Sequence, residues 1–165
     1  MRAIYAGSFS PPTLGHVDII RRAAELFEEV VVAVLSQSEK AYLFSLQQRR
    51  EMLERVTRGM ERVRVVADTG MLVDLAKREG AGVILRGIRD ASDLPLEMQM
   101  ASANRLIGGL DTVFLACSPA YSLISSSIVR DCARHGAPIE GMVPPEIVND
   151  IYAACANAPK IKRSV

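Results

Sequence analysis

The chain carries almost no net charge, no closely paired cysteines and no long apolar run, and each shortage removes a class of function. Twenty basic residues against nineteen acidic ones leave a formal charge of +1, so no global field would hold a polyanion across the surface and a nucleic-acid partner is not expected. Small phosphorylated ligands stay open, because they need only a few cationic groups gathered in one cleft. Cys117, Cys132 and Cys155 are odd in number and too widely spaced for the short ligand pairs of a zinc site. They read as buried, reduced thiols. Met1 and Arg2 lead into a strand pattern and a glycine loop, not an apolar export segment. No run approaches a membrane span. These two observations predict a cytoplasmic protein with no membrane partner. Internal repeats, low-complexity tracts and linkers are also lacking.

With 165 residues, 49% of them of apolar type, the chain fits a single domain that buries roughly two thirds of its unfolded surface. Arg2 to Ala6, Val30 to Leu35, Val63 to Ala67, Val83 to Leu85 and Thr112 to Ala116 are short apolar runs, mostly rich in Val and Ile, and read as five strands. Helical spacing separates them: Ile20, Ala23, Ala24 and Phe27, then Leu46, Met52, Leu53 and Val56, then Leu72, Leu75 and Ala76. This alternation predicts an α/β fold, a doubly wound, Rossmann-like five-stranded parallel sheet with helices on both faces. Ligands in such folds bind beyond the carboxyl ends of the strands. That directs attention to Gly7 to His16, Ser36 to Phe44 and Arg86 to Asp93.

A fourth helix, from about Asp93 to Ile107, spreads Leu94, Leu96, Met98, Met100, Leu106 and Ile107 around much of its circumference. A partner subunit and deep packing within one chain both account for that belt. Ser125 to His135 and Pro145 to Ala156 read as two terminal helices, the second entered through Pro144 and Pro145. The tail Lys160 to Val165 is expected to fray.

The first βα turn reads Gly7-Ser8-Phe9-Ser10-Pro11-Pro12-Thr13-Leu14-Gly15-His16, with a helix begun by His16, Val17 and Asp18. Gly7 would allow close backbone approach, Ser8 offers a hydroxyl, and free amides at a helix start favour an anion. The plainer alternative is a rigid Pro11-Pro12 turn, a Gly15 that relieves crowding and an ordinary first-turn His16.

Gly7-Ser8-Phe9 followed by Thr13-Leu14-Gly15-His16 resembles the (H/T)xGH signature of the nucleotidyltransferase superfamily. Arg86-Gly87-Ile88-Arg89 and Ile124-Ser125-Ser126-Ser127 are similar to its phosphopantetheine adenylyltransferase branch, and the likeness runs from Arg2 to about Ile151. The resemblance implies adenylyl transfer from ATP to 4′-phosphopantetheine, giving dephospho-coenzyme A and pyrophosphate in coenzyme A biosynthesis. It also implies magnesium carried with ATP, a homohexamer, and coenzyme A as feedback inhibitor.

By the same resemblance His16 donates to the alpha-phosphate, Lys40 contacts the acceptor phosphate, and Arg89 serves catalysis from the ATP side. ATP binding would fall to Ser8, Phe9, His16, Gly87, Ile88, Arg89, Glu97 and the stretch Tyr121, Ser122, Leu123, Ile124, Ser125, Ser126, Ser127. The acceptor would meet Ser8, Lys40, Leu72 and Arg86. No dedicated metal ligand is implied. Each assignment has a plainer counterpart: Lys40 as a solvated loop lysine, Arg86 and Arg89 paired with Asp90 and Asp93, the serines as helix caps, Glu97 as a solvated carboxylate, Leu72 as core. His135, before Gly136, reads as a partner of a helix C-terminus.

Two positions depart from the usual pattern. Ser8 stands where threonine is common, and Ser10 where an aspartate is usual, which changes how the loop is braced. Two other functions compete: adenylyl transfer to nicotinate or nicotinamide mononucleotide, and a non-catalytic nucleotide-binding module.

Overall fold

Successive residues of a strand face opposite sides of its sheet, and β1, Arg2–Gly7, uses this to serve two cores. Ala3 and Tyr5 join a large apolar cluster with Val30, Val32 and Leu85, whereas Ile4 and Ala6 join a second with Val31, Ala33 and Ile84. In this computed structural model residues 1–36 and 41–157 are described. Lys40 and the tail at 160–165 lie outside them.

After β1 come α1 (Leu14–Leu26), β2 (Glu29–Leu35), α2 (Leu46–Val56), β3 (Val63–Asp68), α3 (Leu72–Arg78), β4 (Val83–Ile88), α4 (Leu94–Gly108), β5 (Thr112–Ala116), α5 (Ser126–Arg134) and α6 (Val148–Asn157). The strands form one sheet in the order β3-β2-β1-β4-β5, and every pairing is parallel. Helices α1, α2, α5 and α6 supply Ile20, Leu53, Val129 and Ile151 to the larger cluster, and α3 supplies Leu75 and Ala76 to the other. The doubly wound architecture expected from the alternation is present.

Several element boundaries differ from the sequence reading, and one of them shapes the site. β4 continues through Arg86, Gly87 and Ile88, which the apolar pattern placed in a loop after Leu85. Its pairing with β5 runs on through Arg86↔Phe114, Gly87↔Leu115 and Ile88↔Ala116. Its pairing with β1 ends at Tyr5↔Leu85. The last three residues of β4 are therefore held on one side and open on the other, facing the loop that leaves β1. The first helix starts at Leu14, two positions before His16, because Thr13 caps it. The final segment is a 3-10 turn, Pro145–Ile147, running into α6.

None of α4's residues is buried. Leu96, Met98 and Leu106 are 63%, 60% and 87% exposed, so deep packing within the chain does not explain the belt. Of the three cysteines, all are free, but only Cys155 is buried; Cys117 and Cys132 are half-exposed, contrary to the expectation of buried thiols.

Where α4 ends, Gly108 lies against α3: a methyl group there would sit 2.6 Å from Cβ and Cγ1 of Val73. Gly108→Ala gains at most about 1 kcal/mol of helix propensity, whereas overpacking against a stiff β-branched neighbour costs about 1–3 kcal/mol. We expect a lower urea midpoint for this variant, with an unchanged slope.

Candidate active site

From β1 the chain adds β2 and β3 on one side and then crosses from β3 to β4 on the other side of β1, and the crevice of a doubly wound sheet opens at such a switch point. A cavity of about 300 Å³ lies there, beyond the carboxyl ends of β1 and β4. Ser8, Phe9, His16, Arg86, Gly87, Arg89, Glu97 and the run Ile124 to Ser127 all line it. Residues eighty positions apart in sequence are thus brought to one wall by the β1–β4 pairing.

Gly7, the last residue of β1, lines the cavity and has a second reason to be small. A Cβ at Gly7 would lie 3.1 Å from Cζ of Phe9, so the position is kept bare by the aromatic ring two residues later. Phe9 itself has a φ of +45°, a conformation that costs a non-glycine residue about 1–3 kcal/mol, and it is 2% exposed. Burying its ring, edge-on to Tyr5 at 5.5 Å and to His16 at 5.0 Å, offsets that strain. At Gly15 an added Cβ would meet Tyr121 and Thr13 at 3.5 and 3.6 Å, ordinary contact distances, so relief of crowding does not explain this glycine.

Thr13 and His16 form a reciprocal cap. The Thr13 hydroxyl accepts from the His16 amide at 3.3 Å, and the Thr13 amide donates to His16 Nδ1 at 3.0 Å. With Nδ1 occupied as an acceptor, the ring proton of a neutral imidazole sits on Nε2. Burial lowers the His16 pKa to about 4, and the charges of Arg89 and then Arg86 push the same way. His16 is therefore a neutral donor whose tautomer is set by its own helix cap.

The two arginines are more tightly held than a loop would allow. Arg86 donates from Nε and Nη2 to the two carboxylate oxygens of Glu97, at 2.6 and 2.5 Å, and from Nη1 to the Ala6 carbonyl at 2.6 Å. Arg89 donates to Asp93 at 3.2 and 2.9 Å. The Asp93 partner matches one plain alternative raised by the sequence; for Arg86 the partner is Glu97, four residues further on. Glu97 is consequently not a solvated carboxylate. Ser125 caps α5 by accepting from the Ile128 amide at 3.2 Å, and Ser126 donates to the Pro11 carbonyl at 2.8 Å. The Ser127 hydroxyl accepts from Arg130 at 3.0 Å.

Other expected site residues do not line this cavity. Ile88 accepts from the Cys117 amide at 2.7 Å through its carbonyl. Tyr121 and Ser122 lie at a 3-10 turn just before the lining run, and Leu123 is 86% exposed. Leu72 opens α3 and packs against the second core cluster, as its period alone suggested. Lys40 is outside the described residues.

The structure adds residues that the sequence reading passed over. Arg49 is 1% exposed. It donates to the carbonyls of Ser8 and Leu35 at 2.7 and 2.9 Å, reaches the Ser36 hydroxyl, and lies 4.0 Å from the centre of the Tyr42 ring. It ties the loop after β1 to the chain on both sides of 37–40. Arg130 donates to the Ser10 carbonyl. The Ser10 hydroxyl, buried where a carboxylate is usual, has no hydrogen-bond partner among the described residues, so here the loop is braced through its backbone. A polar helix gave no signal for Arg49, whose charge reads as solvent-facing on pattern alone. His135 meets the expectation of a helix-end partner, with Nδ1 2.8 Å from the Asp131 carbonyl.

Comparison with known proteins identifies the family. A family model described as cytidylyltransferase-like matches residues 4–132. The phosphopantetheine adenylyltransferase of Nostoc punctiforme is 48% identical over 92% of this chain and 84% of its own length. That of Synechocystis is 46% identical over 96% and 99%. Among solved structures, Plasmodium falciparum nicotinic acid mononucleotide adenylyltransferase complexed with NaAD superposes with a TM-score of 0.70, covering 92% of this chain and 94% of that one at 15% identity. That last likeness is one of fold. The sequence relatives, together with a capped histidine and two strand-end arginines around one crevice, place the chain in the phosphopantetheine adenylyltransferase family.

Proposed function

We propose that the chain transfers the adenylyl group of ATP to the phosphate of 4′-phosphopantetheine, giving dephospho-coenzyme A and pyrophosphate, as a step of coenzyme A biosynthesis. The observation that carries this reading is the convergence of His16, Arg86, Arg89 and Ser125 to Ser127 on one cavity. The acceptor phosphate is largely dianionic near neutral pH and needs no general base. One of its oxygens bonds to the alpha-phosphorus as the bond to the beta-phosphate oxygen breaks, and pyrophosphate leaves with that electron pair. What remains for the protein is alignment and charge stabilisation.

In this reading Nε2 of His16 donates to an alpha-phosphate oxygen, and its neutrality lets it do so without competing for the pairing of Arg86 and Arg89. Arg89 attends the ATP phosphates and Arg86 the acceptor phosphate, each oriented by its carboxylate. Ser125, Ser126 and Ser127 at the start of α5 receive the beta and gamma phosphates. Ser8 and Phe9 border both substrates. Lys40 contacts the acceptor phosphate and Leu72 the pantetheine arm, with Gly87, Ile88, Glu97 and Tyr121 to Ile124 on the nucleotide. These last assignments rest on family resemblance.

The carboxylates of the lining, Asp93 and Glu97, are both engaged by arginines, and no group of three His, Cys, Asp or Glu among the described residues could hold a metal. A protein-held cage does not fit this cavity. Magnesium belongs to the reading only as a companion of the ATP phosphates. We also propose a homohexamer, supported by the uncovered apolar residues of α4, cytoplasmic action, and coenzyme A as a competing ligand of the same cavity. Among the described residues, no helix is long and apolar enough to cross a membrane.

A pyrophosphate-release assay with ATP and magnesium should show turnover with 4′-phosphopantetheine and little with nicotinate mononucleotide; the reverse preference would reassign the acceptor. His16→Ala should lower kcat by about 10²–10³-fold with KM for ATP changed only a few-fold. In proton NMR, the His16 ring signals should stay those of neutral imidazole from pH 8 down to about 5 and titrate near 4. A midpoint near 6.5 would remove the neutral-donor role.

A further inference from the structure

Tyr5 is a polar group without an internal explanation. It lies on β1, is 6% exposed and lines the cavity, yet its hydroxyl hydrogen-bonds to none of the described residues. Buried tyrosine hydroxyls ordinarily find a partner, and one left without calls for a reason. Among the described residues, Ser10 and Thr112 carry the orphan hydroxyls sealed from solvent; that of Tyr5 is not one of them, and Tyr5 lines the cavity. Its place there is specific. The oxygen would lie 3.6 Å from a Cβ on Gly87, a position already pressed by Ile19 at 3.1 Å. The phenol oxygen therefore lies beside Gly87, at the one-sided end of β4, within ordinary contact of the space a side chain there would take. Its ring is fixed edge-on to Phe9, which is in turn edge-on to His16.

We propose that the Tyr5 hydroxyl is a further nucleotide-contacting group of this site, donating a hydrogen bond to an oxygen of bound ATP. The proposal rests on the adenylyltransferase reading for the identity of the ligand. Burial raises the phenol's pKa, outweighing the opposing charge of Arg86, so the group keeps its proton throughout the working range and serves as a donor. Two kinds of oxygen satisfy the same chemistry, a ribose hydroxyl and a phosphate oxygen, and they are separable by experiment.

Tyr5→Phe removes the oxygen and keeps the ring, its packing on Phe9 and the shape of the wall. ATP affinity of wild type and variant would be measured by titration calorimetry, and melting temperature in the absence of ATP. The contact predicts a Kd for ATP raised roughly 3- to 10-fold, with a melting temperature that is unchanged or higher, because no internal hydrogen bond is lost. With 2′-deoxy- and 3′-deoxy-ATP, an effect that vanishes assigns the contact to that ribose hydroxyl, and one that persists with both assigns it to a phosphate oxygen. An unchanged Kd in the variant, or a lowered melting temperature with unchanged Kd, would overturn the role of Tyr5 alone. Failure of the wild type to bind ATP would overturn the underlying reading instead.

Discussion

The site depends on a strand pairing that stops early. β1 and β4 run together as far as Tyr5 and Leu85, and beyond that point β4 keeps only its β5 neighbour. Had the ladder continued, Arg86 and Gly87 would be interior strand residues with a partner on each side. Because it stops, Ala6 and Gly7 at the end of β1 keep only their β2 partners, the Ala6 carbonyl is left to accept from Arg86, and a crevice forms between the two strand ends. Parallel strands buried on both faces are costly to move, so the two halves of the phosphate-binding wall are delivered with little freedom of their own.

Within that crevice, positioning is layered. Thr13 fixes His16 through the same bonds that begin α1, so the orientation of the imidazole is tied to the existence of the helix. Phe9, strained in its backbone and buried in its ring, holds the loop's sharp change of direction. Arg49 reaches from the hidden face of α2 to the Ser8 carbonyl. Its guanidinium has several donors in a planar fork, which is why one side chain can satisfy the carbonyls of Ser8 in a loop and Leu35 at the end of β2, where an ammonium on a flexible stem would hold them less firmly. Such preorganisation suits a reaction whose nucleophile is already ionised and whose main demand is geometry.

Much of this was legible before any coordinates. Strand and helix order follow from period, and the Thr-x-Gly-His run at a first βα turn pointed to the residues that now line the cavity. What remained hidden has identifiable causes. Arg86 and Gly87 are not apolar, so β4 seemed to end before them; its continuation is decided by pairing with β5, a long-range fact. Gly7 offers a phosphate-binding explanation, while the ring that also crowds it lies two residues away and leaves no local signal. Arg49 sits among Gln47, Gln48, Arg50 and Glu51, where nothing local distinguishes a buried cation from a solvated one. Tyr5 reads as one more strand residue, and only the fold shows that its hydroxyl bonds to none of the described residues. The belt on α4 was visible as composition, while its exposure required the fold.

The pairing of Arg86 and Arg89 each with its own acid has a further consequence. Arg86 with Glu97 and Arg89 with Asp93 neutralise two of the three arginines that line the crevice, and the third, Arg130, is engaged by the Ser10 carbonyl and the Ser127 hydroxyl, so the crevice is no indiscriminate trap for inorganic anions. A single phosphate gains little by displacing a carboxylate that already holds its guanidinium at hydrogen-bonding distance. A chain of phosphates that engages the serines of α5 and the imidazole at the same moment is favoured, because several contacts form together. Selectivity for long polyphosphates over the abundant simple ions of a cell can thus arise from internal neutralisation, without any group dedicated to exclusion.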